Sequence, residues 1–275
     1  MKLTLLGTGC PSVDFKRCGS SNLISSKSTK ILVDCGSGVT QRLNQSKNSS
    51  ADIDALLLTH LHSDHVIDLY QLIISSWHSD RISPWKIYGP KGTKKFVDKI
   101  FLAWKSERKL RISYEKRKSS KALQYKVNEF KKEGFININD IKIKYFEVDH
   151  KPVPYAYGFS FFSNKKKLTL SGDTRPCESL MLNAQNADVL LHEVFIEYEI
   201  NKTSGLRSKK TLHNVKEYHT PSNLVGKIAK LSNCKKLVLT HFVPTRFNIS
   251  KLKKIVRKDF GKDPIIGKDL LTITI

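Results

Sequence analysis

The chain is 275 residues long, 39% hydrophobic and 27% charged, and carries 48 Lys and Arg against 25 Asp and Glu, a formal net charge of +23. It is long and apolar enough to bury the core of one large α/β domain or of two small ones, and no stretch approaches the ~18 consecutive apolar residues that a membrane span needs. The charge favours anionic or polyanionic partners, although 38 of the 48 basic residues are Lys and only 10 are Arg, the side chain better shaped for phosphates and base edges.

The sequence enters a strand at once (3–6), which leaves no room for a signal peptide. Gly7-Thr8-Gly9 makes a turn, and 22–24 and 30–33 are further strands of a meander. The last of these runs into the tight turn Asp34-Cys35-Gly36-Ser37-Gly38, and a helix follows over 39–44. The apolar run 55–59 predicts a buried strand. A helix is expected over 66–77, where Ile67, Tyr70, Ile74 and Trp77 recur at helical steps. Residues 85–90 read as strand then turn, and 93–104 as a helix. Residues 105–133 are polar and basic, a solvated surface segment or a patch that steers anionic substrate. Strands at 141–148, 157–162, 167–170, 189–191 and 236–240, helices at 222–231 and 252–260, and a last strand from 270 complete the chain. Trp77, Trp85 and Trp104 are expected in the core. The five cysteines are scattered without a CxxC pair, which points to reduced thiols and a cytoplasmic home.

Chemistry concentrates in Thr59-His60-Leu61-His62-Ser63-Asp64-His65, between strand 55–59 and the next helix. Loops at the C-terminal ends of strands are where α/β proteins place their sites. Neutral imidazoles suit zinc or a similar borderline ion and a carboxylate suits a harder one, so this turn can feed two adjacent metal ions. Asp34, His60, His150, Asp173, His192 and His241 each close a predicted strand, which suggests one sheet edge converging on a single site. His78 and His213 follow no strand and are expected at the surface or in packing.

The motif His60-x-His62-x-Asp64-His65, with Asp34 before it and His150, Asp173 and His241 after it, resembles the metallo-β-lactamase superfamily over nearly the whole chain. Leu6-Gly7-Thr8-Gly9-Cys10-Pro11, Tyr88-Gly89-Pro90-Lys91-Gly92-Thr93, His192-Glu193-Val194-Phe195 and His219-Thr220-Pro221 look like the ribonuclease Z branch. Ser171-Gly172-Asp173-Thr174-Arg175-Pro176 is also similar to metallo-arylsulfatase-like members. The resemblance implies an α/β fold, a four-layer αβ/βα sandwich, as one domain over 1–275. It also implies two divalent metal ions, with zinc the first choice. His60, His62 and His150 would hold one ion, Asp64, His65 and His241 the other, and Asp173 would bridge them. Asp34 and His192 would orient these groups from outside. Catalysis would fall to Asp64 at the metals, to His219 as the acid protonating the leaving group, and to Glu193 orienting His219 or His192. Arg175 would meet substrate oxygens or form a structural ion pair.

The expected function is a dinuclear hydrolase, a phosphodiesterase of the ribonuclease Z type in which a metal-bridging hydroxide attacks phosphorus. The alternatives are an arylsulfatase-like hydrolase of sulfate or other small anionic esters and, from another class, an RNA-binding protein with a structural metal site. Structural zinc sites are closed and four-coordinate, which disfavours the last. The implied partners are an anionic substrate, RNA among them, and a second copy in a homodimer, with no membrane. One departure is plain: ribonuclease Z enzymes usually carry a tRNA-binding arm between the positions of His150 and Asp173, and here only 22 residues (151–172) lie there.

Overall fold

The computed structural model describes residues 1–200 and 208–275. The chain begins with β1 (Lys2–Gly7), β2 (Ser21–Ser25), β3 (Lys30–Val33), α1 (Val39–Gln45) and β4 (Ala55–Leu57). Next come α2 (Ser63–Val66), α3 (Leu69–His78), β5 (Trp85–Gly89), α4 (Thr93–Ala103), α5 (Lys105–Glu115) and β6 (Tyr125–Glu129). The second half holds β7 (Glu133–Ile138), β8 (Ile141–Glu147), β9 (Tyr157–Ser163), β10 (Lys166–Leu170), α6 (Glu178–Asn183), β11 (Val189–Phe195), α7 (Glu197–Ile200) and α8 (Lys209–Lys216). It closes with α9 (Ser222–Leu231), β12 (Lys236–Val243), α10 (Ile249–Phe260), β13 (Ile265–Ile266) and β14 (Thr272–Thr274). Among the described residues no helix is long and apolar enough to cross a membrane.

Two seven-stranded mixed sheets form, ordered β14-β1-β2-β3-β4-β5-β6 and β13-β12-β11-β10-β9-β8-β7. Each has an antiparallel half and a parallel half; β3 to β6 pair in parallel in the first and β10 to β13 in the second. Side chains alternate across a strand, and the burial follows that alternation. Leu3, Leu5, Val33 and Leu57 of the first sheet meet Phe159, Phe161, Leu168 and Leu191 of the second in a fully buried inner core. Each such side chain contributes about 2 kcal/mol by leaving water. The opposite faces carry the helices: Leu32 and Leu56 pack under Leu43, Leu72 and Val97 of α1, α3 and α4. On the other sheet Leu190 and Leu237 pack under Leu180, Val225 and Val256 of α6, α9 and α10. Helix, sheet, sheet and helix are the four layers of an αβ/βα sandwich.

The structure departs from the sequence expectations in four places. The helix expected over 66–77 is two helices, α2 and α3, parted at Ile67 and Asp68; Ile67 is 62% exposed, so it is no part of an apolar stripe. Trp104 is 49% exposed and stacks on Tyr70 at 5.0 Å, outside the core that Trp77 and Trp85 occupy. Residues 105–133 are not one solvated stretch: α5 buries no residue, but Tyr125–Glu129 adds an edge strand to β5. Finally, the buried runs at 189–191 and 236–240 extend to Phe195 and Val243, so His192 and His241 lie within strands and not after them. The 22-residue span 151–172 holds β9 and β10 with their connections, and no arm.

At the end of the sandwich away from the His loop, the Asp140 carboxylate on the β7–β8 turn accepts hydrogen bonds from Ser26, Ser28 and Thr29 on the β2–β3 turn. It thereby ties the two sheets together. Those hydroxyls lower its pKa from 3.8 to about 2. A carboxylate depressed on folding stabilises above its unfolded pKa and loses that contribution as pH falls through the folded value. Wild type is therefore expected to melt above Asp140→Asn at pH 5, with the gap closing as pH falls from 3.8 to about 2. A gap that persisted at the acid end would show that the ionised group is not what stabilises the turn.

Candidate metal centre

The His loop leaves β4 and turns into α2, and Asp34, which follows β3, fixes it. Asp34 Oδ1 accepts the Thr59 N–H at 2.8 Å, and Oδ2 accepts from His65 Nδ1 at 2.8 Å and from the Thr59 hydroxyl at 2.9 Å. With its proton committed to Asp34, the Thr59 hydroxyl accepts from His60 Nδ1 at 3.0 Å. His150 Nδ1 donates to the Tyr218 carbonyl at 2.7 Å. In His60, His65 and His150 the Nδ1 proton is thus held from outside, and the Nε2 lone pair is left to face inward.

Those lone pairs converge on one oxygen. Asp173 Oδ2 lies 3.3 Å from His241 Nε2, 3.4 Å from His65 Nε2, and 3.9 Å from both His60 Nε2 and His150 Nε2. His62 Nδ1 lies 3.4 Å from His150 Nε2, and Asp64 Oδ2 lies 3.2 Å from His241 Nε2. Three overlapping sets have all their ligand atoms within 4.8 Å of one another: His60, His62, His150 and Asp173; Asp64, His65 and His241; and Asp173, His219 and His241. His60 Nε2 is buried without a hydrogen-bond partner. Ring nitrogens facing one another and two carboxylates, with His60 Nε2 left unpartnered, are the ligand set that divalent cations fit.

The electrostatics divide the imidazoles into two groups. Burial pushes His60, His62 and His150 below the ordinary imidazole range, which keeps their lone pairs free near neutral pH. Burial acts the same way on His65 and His241, but there Asp173, joined by Asp34 and Asp64 around His65 and by Asp64 beside His241, outweighs it and raises both. Burial would raise Asp173 and Asp64, yet the surrounding imidazoles hold both carboxyls low.

Close backbone approach sets two of the turns. A Cβ on Gly36 would lie 2.2 Å from the Asp64 carbonyl oxygen, so only glycine lets the loop after Asp34 lie against the backbone of Asp64. Gly172, next to Asp173, has φ +62°, and a Cβ there would lie 2.5 Å from the Tyr157 carbonyl oxygen.

His241 reaches the centre by a β-bulge. The register pairs Glu193 with Thr240 and Val194 with Phe242, so His241 is an extra residue with no partner on β11, at φ +44°. A non-glycine residue at positive φ is uncommon and costs on the order of 1–3 kcal/mol. Bulges of this kind re-aim a side chain, and this one turns an imidazole toward Asp64 and Asp173.

Beside the cluster, Glu193 Oε1 accepts from His219 Nδ1 at 3.0 Å, from the Thr174 N–H at 3.0 Å and from the Thr220 N–H at 3.1 Å. His219 is buried and stacks against His241 at 5.7 Å. His192 is not brought to the site. On β11 it shares the outer face with Leu190 and Val194 of the helix-covered core, opposite to Glu193, and its Nδ1 donates to the Glu193 carbonyl at 2.7 Å. Arg175 is held by Asp149, the residue before His150, through a 2.8 Å ion pair. His78 lies between Arg111 and Arg117 at the surface. Thr59 and Thr174 stand inside the quoted motifs without a role of their own there, and Tyr218 is signalled in the sequence only by its adjacency to His219. A cleft of ≈ 380 Å³ opens beside Asp64, walled by Ser12, Val13, Phe15, Ser63 and Ile67.

A family model described as anti-Pycsar protein Apyc1 matches residues 1–215. Ribonuclease Z of Mycobacterium bovis is 33% identical over 247 residues, covering 89% of this chain and 86% of the relative. Ribonuclease Z of Mycobacterium marinum is 30% identical over 280 residues, covering 100% and 99%. Among solved structures, the metallo-β-lactamase fold protein YhfI from Bacillus subtilis superposes with a TM-score of 0.76 at 20% identity, covering 99% of this chain and 98% of the other. The short form of human tRNase Z superposes with 0.71 at 23% identity, covering 100% and 99%. These structural likenesses bear on the fold.

Proposed function

The chain belongs to the family described as anti-Pycsar protein Apyc1 and to the ribonuclease Z branch of the metallo-β-lactamase superfamily, and from that premise we propose that it is a metal-dependent phosphodiesterase acting on nucleotide phosphodiesters. The observation that carries this is the convergence of four imidazole nitrogens on Asp173 Oδ2, with the Glu193–His219 pair alongside. His60, His62 and His150 would hold one divalent ion and Asp64, His65 and His241 a second, with Asp173 available to both; zinc would suit this imidazole-rich set. Bound there, such ions lower the pKa of water to near neutrality and neutralise charge on the phosphate.

The rest of the chemistry belongs to the chain. Glu193 accepts the Nδ1 proton of His219, which leaves Nε2 as the nitrogen that carries a proton to the leaving oxygen. The Thr174 and Thr220 N–H groups hold Glu193 in place, and Asp34 keeps the His65 ring from rotating. Arg175 is tied to Asp149 through one guanidinium nitrogen, which leaves its other N–H groups to meet substrate oxygens. The missing arm between His150 and Asp173 favours nucleotide or single-stranded substrates over a folded tRNA. All five cysteines are free, which supports a reducing, cytoplasmic setting.

Metal-analysed protein is expected to hydrolyse bis(p-nitrophenyl) phosphate and to leave p-nitrophenyl sulfate intact. Turnover of the sulfate ester alone would overturn the phosphodiesterase assignment.

A further inference from the structure

A group of lysines outside the basic stretch 105–133, on α4 and the turn before it, reaches the loops of the centre. Leu61, between His60 and His62, packs beside Gly92: a Cβ on that glycine would lie 3.7 Å from Leu61 Cδ1. Lys91 lies 5.8 Å from the ring of Tyr155, in the loop that follows His150. The start of α4 therefore touches the loops bearing three of the candidate ligands. From there Lys91, Lys94, Lys95 and Lys99, with Leu102, line an open hollow of ≈ 490 Å³. Lys95 and Lys99 are exposed and one helical turn apart, a step of about 6 Å along the axis.

The acids of this hollow are already engaged. Glu129 accepts the N–H groups of Gly92 and Lys94 at 3.0 and 2.9 Å, and Asp98 accepts from Lys94 Nζ and the Tyr125 hydroxyl at 2.7 and 2.8 Å. Lys91, Lys95 and Lys99 have no carboxylate within ion-pair distance among the described residues. What remains is a row of three uncompensated ammonium groups running outward from the rim of the metal centre. It is built of Lys, which reads the charge of a phosphate chain and not its bases.

We infer that Lys91, Lys95 and Lys99 form a track for the backbone phosphates of a single-stranded polynucleotide whose scissile linkage lies at the metal centre. The inference rests on the phosphodiesterase reading and adds where the body of the substrate lies. The track takes the role of the absent arm without sequence preference.

The test is equilibrium binding of a fluorescein-labelled phosphorothioate oligouridylate, which resists hydrolysis, to metal-loaded full-length protein across a salt series. Lys95→Gln/Lys99→Gln is compared with Lys253→Gln/Lys254→Gln. The latter pair lines an equally basic hollow on α10, which packs on α9, and so controls for net charge. The α4 variant is expected to bind roughly tenfold more weakly. Its salt slope should fall by about 1.4, near 0.7 for each single-strand phosphate that no longer meets an ammonium group. The α10 variant is expected to stay within twofold of wild type. Equal losses in the two variants, or none in the α4 variant, would overturn the track. Bis(p-nitrophenyl) phosphate turnover is read separately, so a failed phosphodiesterase assignment and a failed docking surface give different results.

Discussion

Asp173→Asn is expected to lower turnover of bis(p-nitrophenyl) phosphate by about 10³-fold or more, as loss of several kcal/mol of metal-borne charge stabilisation implies. It is also expected to lower the bound divalent metal measured on the same protein. Asp173 Oδ2 lies within 3.9 Å of a ring nitrogen of each of His60, His65, His150 and His241. Asparagine matches the volume of aspartate but brings no negative charge, and its amide offers N–H groups where the imidazoles present lone pairs. The Coulombic attraction that holds the Asp173 carboxyl low and raises His65 and His241 disappears with it. Because the exchange is isosteric, far-UV circular dichroism should match wild type, which separates a site effect from an unfolded chain. A variant with full metal content and more than a tenth of wild-type turnover would remove Asp173 from the shared position.

The second large effect is His219→Ala, and its size should depend on the leaving group. General acid catalysis contributes about 10²–10⁴-fold, but a nitrophenolate departs without needing a proton, whereas a ribose oxygen needs one. Loss of His219 should therefore lower kcat on a dinucleotide by about 10²-fold or more and change bis(p-nitrophenyl) phosphate turnover far less, with metal content unchanged. Glu193→Gln, which keeps the volume but weakens the hold on Nδ1, should move kcat the same way by about tenfold. Equal losses on both substrates would show that His219 supports the metals and does not protonate the leaving oxygen.

The sequence exposes this site where chemistry and chain order coincide. His60, His62, Asp64 and His65 fall within six residues, and their imidazole and carboxylate types are enough to suggest metal. His150, Asp173 and His241 are legible only as polar residues terminating apolar runs, and the family motif order joins them to the first four. His192 shows the limit of that logic. It stands next to Glu193 after the same apolar run, yet adjacent residues on a strand face opposite sides, and the run continues to Phe195 with both faces buried. A strand covered on both faces has no alternation in the sequence to reveal which side is which. The two-helix break at Ile67 is hidden for a related reason: an exposed isoleucine at helical spacing looks like a buried one. Edge strand β6 is half exposed, with Lys126 in it and Lys131 and Lys132 just beyond, so composition hides it inside a segment that reads as solvated.

His241 carries a consequence for how such a protein can lose its activity. The pairing of Val194 with Phe242 and of Phe195 with Val243 would proceed without the unpaired residue between Thr240 and Phe242. Deleting that single codon would leave a regular parallel ladder, relieved of a positive-φ histidine and freed of its bend. The strand pairing does not require the residue; its imidazole serves Asp64 and Asp173. A lineage released from selection for catalysis thus has a one-step route to losing this imidazole while keeping the pairing of the two strands.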